Sequence, residues 1–192
     1  MNLILLSLTA LLLLLNLLGL ALVLRPWLPY HPVAKVVGTL AVCLVFLCVE
    51  HFAGLGQLVW MWPLSTAMSL VVLYRRRAEL RAGLWREEAV FVGMFVTALA
   101  WRATFPDIDP RAEQLPDLSF IASYMSGVTL PPPDYWLTGQ RLDFYYSFQL
   151  YGAALLGRIL GLSPGYALNL AAVLLQSMLA SLAWFVVGRF CV

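Results

Sequence analysis

The sequence predicts an all-α, polytopic transmembrane helical bundle of about six spans, with one long external loop that bears a short amphipathic helix. Of its 192 residues, 62% are hydrophobic and 11% are charged, whereas a soluble domain carries about a quarter charged residues. The apolar runs are continuous and rich in leucine, which excludes the alternating pattern of a membrane β-barrel. The chain is therefore predicted to be an integral membrane protein whose first partner is the lipid bilayer.

Six apolar runs approach the roughly 20 residues that a helix needs to cross a bilayer. They cover residues 2–24, 33–49, 52–73, 89–104, 146–162 and 165–188. The first run lacks the basic start and the cleavage site of a signal peptide, so we interpret it as a retained helix. The pattern divides the chain into four N-terminal spans (1–104), an external polar-aromatic loop (105–145) and two C-terminal spans (146–192).

The basic residues indicate how the chain is oriented in the cell membrane. Lysine and arginine concentrate on the cytoplasmic side of membrane helices. The multi-pass topology therefore has an external N-terminus and an external loop at 105–145, with Arg158 on the inner side. Glu50 and His51 are then expected to be exposed in a tight hairpin at the outer interface, and Lys35 is close enough to a helix end to snorkel. The loop predicted to be cytoplasmic holds the strongest basic cluster, Arg75, Arg76, Arg77, Arg81 and Arg86.

The loop at 105–145 is expected to be ordered. Its prolines 131–133 stiffen the backbone. Apolar side chains recur at helical spacing around residues 115–125, which predicts a short amphipathic helix at the membrane surface. These side chains are Leu115, Leu118, Ile121, Tyr124 and Met125.

Two carboxylates, Glu113 and Asp117, are candidates for catalysis. They are four residues apart and share one face of a helix that begins near Glu113. Such a pair can hold a divalent cation, or the two charges repel so that one accepts a proton more readily. The alternative is that both only interact favourably with the helix N-terminus.

A second acidic pair, Asp107 and Asp109, has the Asp-x-Asp spacing of a candidate metal-phosphate site. The same two carboxylates, flanked by prolines, are equally typical of a polar turn. Arg111 can donate to a phosphate in a bidentate fashion. Its alternative is a salt bridge to Asp107 or Glu113.

The aromatic residues after the prolines have two interpretations. Trp136, Tyr145 and Tyr146 either form an interfacial aromatic belt or a platform on which a sugar ring or a lipid headgroup stacks. We call these three residues the aromatic platform. Asp134 follows the stiff prolines directly and is expected to be held close to the platform.

The sequence lacks the motifs that several other functions require. The sequence has no Gly-rich phosphate loop, no His/Cys metal cluster, no Ser-His-Asp arrangement and no basic-aromatic surface for nucleic acid. A nucleic-acid partner is therefore not expected. Asn16 and Asn169 lie within spans and are expected to join helices by hydrogen bonds.

The order of motifs between Arg86 and Leu170 resembles the YYY-domain family of polytopic prokaryotic membrane proteins, named for a Tyr-Tyr-Tyr run. Phe144 stands where that run has its first tyrosine, so one hydroxyl is missing. Family members are usually far longer, so the chain is interpreted as a truncated or fragmentary member. The matching pieces are Pro106-Asp107-Ile108, the Glu-x-x-x-Asp of Glu113 and Asp117, Pro131-Pro132-Pro133-Asp134, Trp136-Leu137, Gly139, Leu142, Phe144-Tyr145-Tyr146 and Asn169-Leu170.

The layout of that family is similar to membrane glycosyltransferases of the GT-C class. Those enzymes have carboxylates in their first large external loop and take sugars from polyprenyl-phosphate carriers. The resemblance implies that Asp117 or Glu113 acts as general base or binds a divalent metal ion. It also implies that the aromatic platform cradles the sugar and that Arg111 or Arg141 meets the phosphate. The rival hypothesis is a non-enzymatic membrane scaffold or accessory subunit whose external loop docks a partner.

Overall fold

The computed structural model describes residues 3–80, 84–105, 114–134, 137–142 and 147–190. The regular structure in these ranges is helical, which confirms the predicted all-α class. The β-type pairing described there is one isolated bridge between Pro133 and Arg141. The helices are α1 (Leu3–Leu24), α2 (His31–Phe52), α3 (Met61–Arg75), α4 (Arg77–Glu79), α5 (Trp85–Thr104), α6 (Gln114–Tyr124), α7 (Ser147–Leu160) and α8 (Pro164–Phe190).

Three helical segments of the described chain are long and apolar enough to cross a membrane, namely Ser7–Leu24, His31–Phe52 and Pro164–Phe190. They correspond to the first, second and sixth predicted spans. α3 has 15 residues and α7 has 14. At 1.5 Å per residue these two helices are roughly 21–23 Å long, which is less than the roughly 30 Å of a bilayer's hydrocarbon core. The spans proposed at 52–73, 89–104 and 146–162 remain predictions.

The chain forms two compact units. The first contains Met1–Leu40, Pro63–Ala100 and Val173–Val192, and the second contains Ala41–Trp62 and Trp101–Ala172. The second unit therefore includes the described part of the external loop, together with α6 and α7.

A polar contact joins α1 to α3 inside the first unit. The Asn16 Nδ2 atom donates to the hydroxyl of Thr66 at 2.9 Å, and the Ser69 hydroxyl donates to Asn16 Oδ1 at 3.3 Å. Gly19 allows this close approach, because a Cβ atom there would lie 2.5 Å from Ser69 Oγ. The prediction that Asn16 joins two helices is confirmed.

The predicted short helix near 115–125 is confirmed as α6, but its surroundings differ from the prediction. Ile121 and Tyr124 are buried in a protein core that includes Leu150 and Tyr151 of α7. The rings of Tyr124 and Tyr151 meet edge to face, with centroids 5.8 Å apart. Burial raises the pKa of Tyr124 to about 12. This part of the apolar face of α6 therefore packs on α7, where the sequence spacing suggested contact with the membrane surface.

Candidate functional site

Most of the predicted site lies outside the described residues. The structure describes Asp117, Asp134 and Arg141 of that set. The pairing of Glu113 with Asp117 and the proximity of Asp134 to the aromatic platform therefore remain predictions. The site residues outside the described ranges are Asp107, Asp109, Arg111, Glu113, Trp136, Tyr145 and Tyr146.

Asp117 lies in the first turn of α6 and is half-buried. The partial positive charge at a helix N-terminus favours an ionised carboxylate at this position. Ile121, one turn further along the same helix, is fully buried against the α7 core. The packing of α6 thus fixes the backbone that carries this carboxylate.

A hairpin at residues 131–142 holds the other two described candidates. Its backbone is closed by a hydrogen bond from the Asp134 N–H to the Gln140 carbonyl at 3.0 Å and another from the Leu142 N–H to the Pro132 carbonyl at 2.9 Å. Leu142 is buried in the α6–α7 core. The described residues of this hairpin thus support the prediction of an ordered loop.

Both candidate side chains in the hairpin bond to its own backbone. Asp134 Oδ1 accepts a hydrogen bond from the Leu137 N–H at 3.3 Å, as aspartates in turns often do. Arg141 Nη1 donates to the Pro131 carbonyl at 3.2 Å and its side chain is exposed. Each side chain therefore has a structural role, whatever ligand it meets.

Among the described residues of the second unit, the most deeply buried charged pair is one that sequence reasoning missed. Glu50 and Arg158 form an ion pair in which both side chains are 0% exposed. The two shortest distances are 2.7 Å from Arg158 Nη2 to Glu50 Oε1 and 2.8 Å from Arg158 Nη1 to Glu50 Oε2. The Tyr151 hydroxyl donates to Glu50 Oε2 at 2.7 Å. We call these three residues the Glu50–Arg158 cluster.

The Glu50–Arg158 cluster also binds backbone from two loops. Arg158 Nε donates to the Gly56 carbonyl at 2.9 Å. The Gly56 N–H donates to the Gly127 carbonyl at 2.9 Å, and the Leu130 N–H donates to the Glu50 carbonyl at 3.0 Å. The end of α2, the connection after it and the start of the external hairpin are therefore held at one point.

The prediction that Glu50 is exposed in a tight hairpin is wrong. α2 continues to Phe52, and the chain then turns back over Glu50, so that the Leu55 N–H lies 3.4 Å from Glu50 Oε1. The ion pair also contradicts the assignment of Glu50 to the outer interface and Arg158 to the inner one. A contact of 2.7 Å cannot join opposite faces of a bilayer. The physical reason is that α7, with 14 residues, is too short to carry Arg158 across the hydrocarbon core.

Replacing Gly127 with alanine should lower the free energy of unfolding by about 2–4 kcal/mol, because strain and overpacking add. Gly127 has φ +68°, and a Cβ atom there would lie 2.5 Å from the Gly56 carbonyl oxygen, which is rigid backbone. Gly139→Ala is the matched control, because Gly139 has φ +87° but a Cβ atom there would meet no atom of the described residues within 4 Å. It should cost only about 1 kcal/mol. Denaturant unfolding in detergent checks both values, and equal losses would contradict the packing argument.

A second buried ionic group lies in the first unit. Glu88 Oε2 accepts a hydrogen bond from Lys35 Nζ and lies 2.8 Å from His31 Nε2. The Lys35 ammonium also sits 3.7 Å from the centroid of the Phe91 ring. Among the described residues, the buried His31 Nδ1 atom has no hydrogen-bond partner. The prediction that Lys35 snorkels is wrong, because its side chain is only 2% exposed and is paired inside the protein.

A sequence signal for these buried groups was present. Ionisable residues within apolar runs, as Lys35 and Arg158 are, are costly unless they are paired, so they are functional or structural candidates by default. Tyr151 and Arg158 are seven residues apart and share one face of α7, which also indicates a common partner. Within the described ranges, no group of three or more His, Cys, Asp or Glu side chains could hold a metal ion. The predicted metal ligands Asp107 and Asp109 lie outside those ranges.

The helical fold and the long apolar helices define this chain as an integral membrane protein. Its residues 40–191 match the model of the family described as uncharacterized membrane protein, DUF2298. The match covers most of the chain, and the chain belongs to this family. It includes the whole external loop and the Glu50–Arg158 cluster. No curated protein and no solved structure shows a significant match.

Proposed function

We propose that this protein is a YYY-domain member that acts as a GT-C-like glycosyltransferase, or as the N-terminal part of one. It transfers a sugar from a polyprenyl-phosphate donor to an acceptor hydroxyl. In this reaction a carboxylate accepts the acceptor's proton while the acceptor oxygen attacks the anomeric carbon. The bond between the anomeric carbon and the phosphate oxygen breaks, and polyprenyl phosphate leaves with the electron pair.

The observation that carries the proposal is the position of Asp117. It is a half-buried carboxylate in the first turn of a helix that is packed through Ile121 into the core of an integral membrane protein. A general base needs a fixed position and access to its substrate, and a packed helix with a half-buried carboxylate provides both. Glu113 would support Asp117, or would share a divalent metal ion with it.

The donor would be held by the surrounding parts of the external loop. Arg141 is exposed and extends from a closed hairpin, where a guanidinium can meet a phosphate oxygen. Asp134 lies on the same hairpin and would hydrogen-bond a sugar hydroxyl. The aromatic platform would stack on the sugar ring, with Arg111 as a second partner of the phosphate.

The test is turnover of a defined donor by the purified protein. The full reading frame is reconstituted in liposomes with polyprenyl phosphate mannose or polyprenyl phosphate glucose, and the release of polyprenyl phosphate is followed by mass spectrometry. We expect release that depends on the protein and that is lost in Asp117→Asn. Release that is equal in protein-free liposomes would contradict the proposal.

The alternative is a scaffold or an accessory subunit whose external loop docks a partner. Leu137 lies in the hairpin of the external loop and is 63% exposed. A single exposed leucine is normal on a protein surface, so position 137 serves here as an accessible site for a probe. A photo-crosslinking residue at position 137 tests this in native membranes. A protein adduct of one defined mass, together with an absence of donor turnover, would favour the scaffold over the enzyme.

A further inference from the structure

An open pocket of about 430 Å³ lies in the first unit, where α1 ends. It is lined by Arg25, Pro26, Pro29, Arg76 and Glu79. This volume falls within the range of small-molecule sites, about 300–1,000 Å³. We call it the Arg25–Arg76 pocket.

The charges that line the pocket do not cancel. Arg25 Nη1 lies 3.2 Å from Glu79 Oε2, and Arg76 Nη1 lies 3.6 Å from Glu79 Oε1. Two guanidinium groups thus share one carboxylate, which leaves an excess of one positive charge. The side chains are 30–37% exposed, so this charge faces the open pocket, and among the described residues Glu79 is the acidic side chain that pairs with the two arginines.

Donors remain for a ligand on both arginines. Within the described part of the chain, the side-chain polar contacts of Arg25 and Arg76 are made through Nη1, including the bond from Arg76 Nη1 to the Leu22 carbonyl at 2.6 Å. A guanidinium has five N–H donors in a planar fork. The Nε and Nη2 groups can therefore meet the oxygens of a phosphate, for which this fork is well suited.

The pocket also lies where lipid headgroups are found. Arg25 follows directly after Ser7–Leu24, which is long and apolar enough to cross a membrane. Arg75 and Arg77, on either side of Arg76, are exposed. Basic pockets and clusters next to transmembrane helices attract anionic lipid headgroups.

We propose that the Arg25–Arg76 pocket binds the phosphate of an anionic membrane lipid. The phosphate takes the donors that Glu79 leaves unused, and the lipid chains lie along the exposed apolar side of α1, where Leu8 and Leu11 are 51% and 63% exposed. The site goes beyond the proposed sugar transfer, since it uses none of the residues assigned to that reaction.

The experiment measures binding of dioleoyl phosphatidylglycerol by native mass spectrometry of the purified full chain in a neutral detergent. Dioleoyl phosphatidylcholine is the lipid control. We expect Arg25→Gln and Arg76→Gln each to weaken phosphatidylglycerol binding about fivefold, since a basic residue near the membrane surface contributes about that much. Arg102→Gln, which removes an arginine in the second unit, should bind like the wild type.

Glu79→Gln separates ligand binding from a structural ion pair. If the pocket binds an anion, removing its only described carboxylate should strengthen phosphatidylglycerol binding several-fold while the protein stays folded. Because Arg76 also bonds to Leu22, Arg25→Gln is the variant that decides the outcome if Arg76→Gln fails to fold. Equal binding of the two lipids would overturn the proposal, as would unchanged binding in Arg25→Gln. Millimolar inorganic phosphate that displaces the lipid completely would also overturn it, in favour of a site for free anions.

Discussion

Glu50→Gln should lower the free energy of unfolding by about 3–5 kcal/mol, because it leaves a buried arginine without a counter-ion. Both side chains of the pair are 0% exposed, so water cannot solvate the Arg158 guanidinium once the negative charge is gone. Glutamine keeps the size of the side chain and one acceptor oxygen. The loss therefore reports the charge and not a cavity. Denaturant unfolding in detergent, followed by circular dichroism, gives the value.

Two further variants make this result specific to the ion pair. His51→Gln changes the exposed neighbour on the same helix and should stay within about 0.5 kcal/mol of the wild type. The double variant Glu50→Leu with Arg158→Leu removes both charges and should recover much of the loss, since apolar replacements of buried pairs are often tolerated. If Glu50→Gln and His51→Gln have the same free energy of unfolding, the ion pair does not stabilise the fold.

Asp117→Asn should reduce sugar transfer by about 10²–10⁴-fold, the usual contribution of a general base. Asparagine has the same shape but cannot accept the proton. Stability should change by only about 0.3–1 kcal/mol, the value of a carboxylate near a helix N-terminus. Initial rates of polyprenyl phosphate release give the effect on activity, and the unfolding midpoint gives the effect on folding.

Ser119→Ala is the matched control for Asp117→Asn on the same helix. Its hydroxyl donates to the Pro116 carbonyl at 2.8 Å, so the change perturbs the first turn of α6 without removing a charge. Transfer by Ser119→Ala should stay within about threefold of the wild type, a small effect beside that of a general base. Glu113→Gln should match Asp117→Asn if the two carboxylates share a metal ion, and be milder if Glu113 only supports its neighbour. Unchanged transfer in both acidic variants would remove these carboxylates from the mechanism.

The parts of the fold that depend on local composition were predictable. The three described helices able to span a membrane overlap predicted apolar runs, because about 20 mostly apolar residues suffice for a bilayer whatever surrounds them. α6 was predictable for a similar reason, since Ile121 and Tyr124 repeat at helical spacing. The surface on which α6 packs was not predictable, because amphipathic spacing is the same whether the apolar face meets lipid or another helix such as α7.

The burial and pairing of the charged residues could not be predicted from local composition. Glu50 follows an apolar run, and its burial depends on Arg158, which is 108 positions away. Likewise, Lys35 and Glu88 are 53 positions apart. No spacing rule links residues at such separations, and a charge near the end of an apolar helix is more simply interpreted as exposed. The prediction that the three adjacent prolines hold Asp134 close to the aromatic platform stays a prediction, because the platform lies outside the described residues.

The separation of Glu50 from Arg158 has a consequence for how the chain is made. A ribosome adds about 5–20 residues per second. After Glu50 is synthesised, roughly 5–20 s therefore pass before Arg158, 108 residues later, exists to pair with it. During that interval the apolar part of α2 already exists, but the side-chain carboxyl of Glu50 near its end has no counter-ion. Burying an unpaired carboxylate is costly, so this side chain is more stable in water. We therefore expect the end of α2 to stay at the membrane edge until α7 has been made.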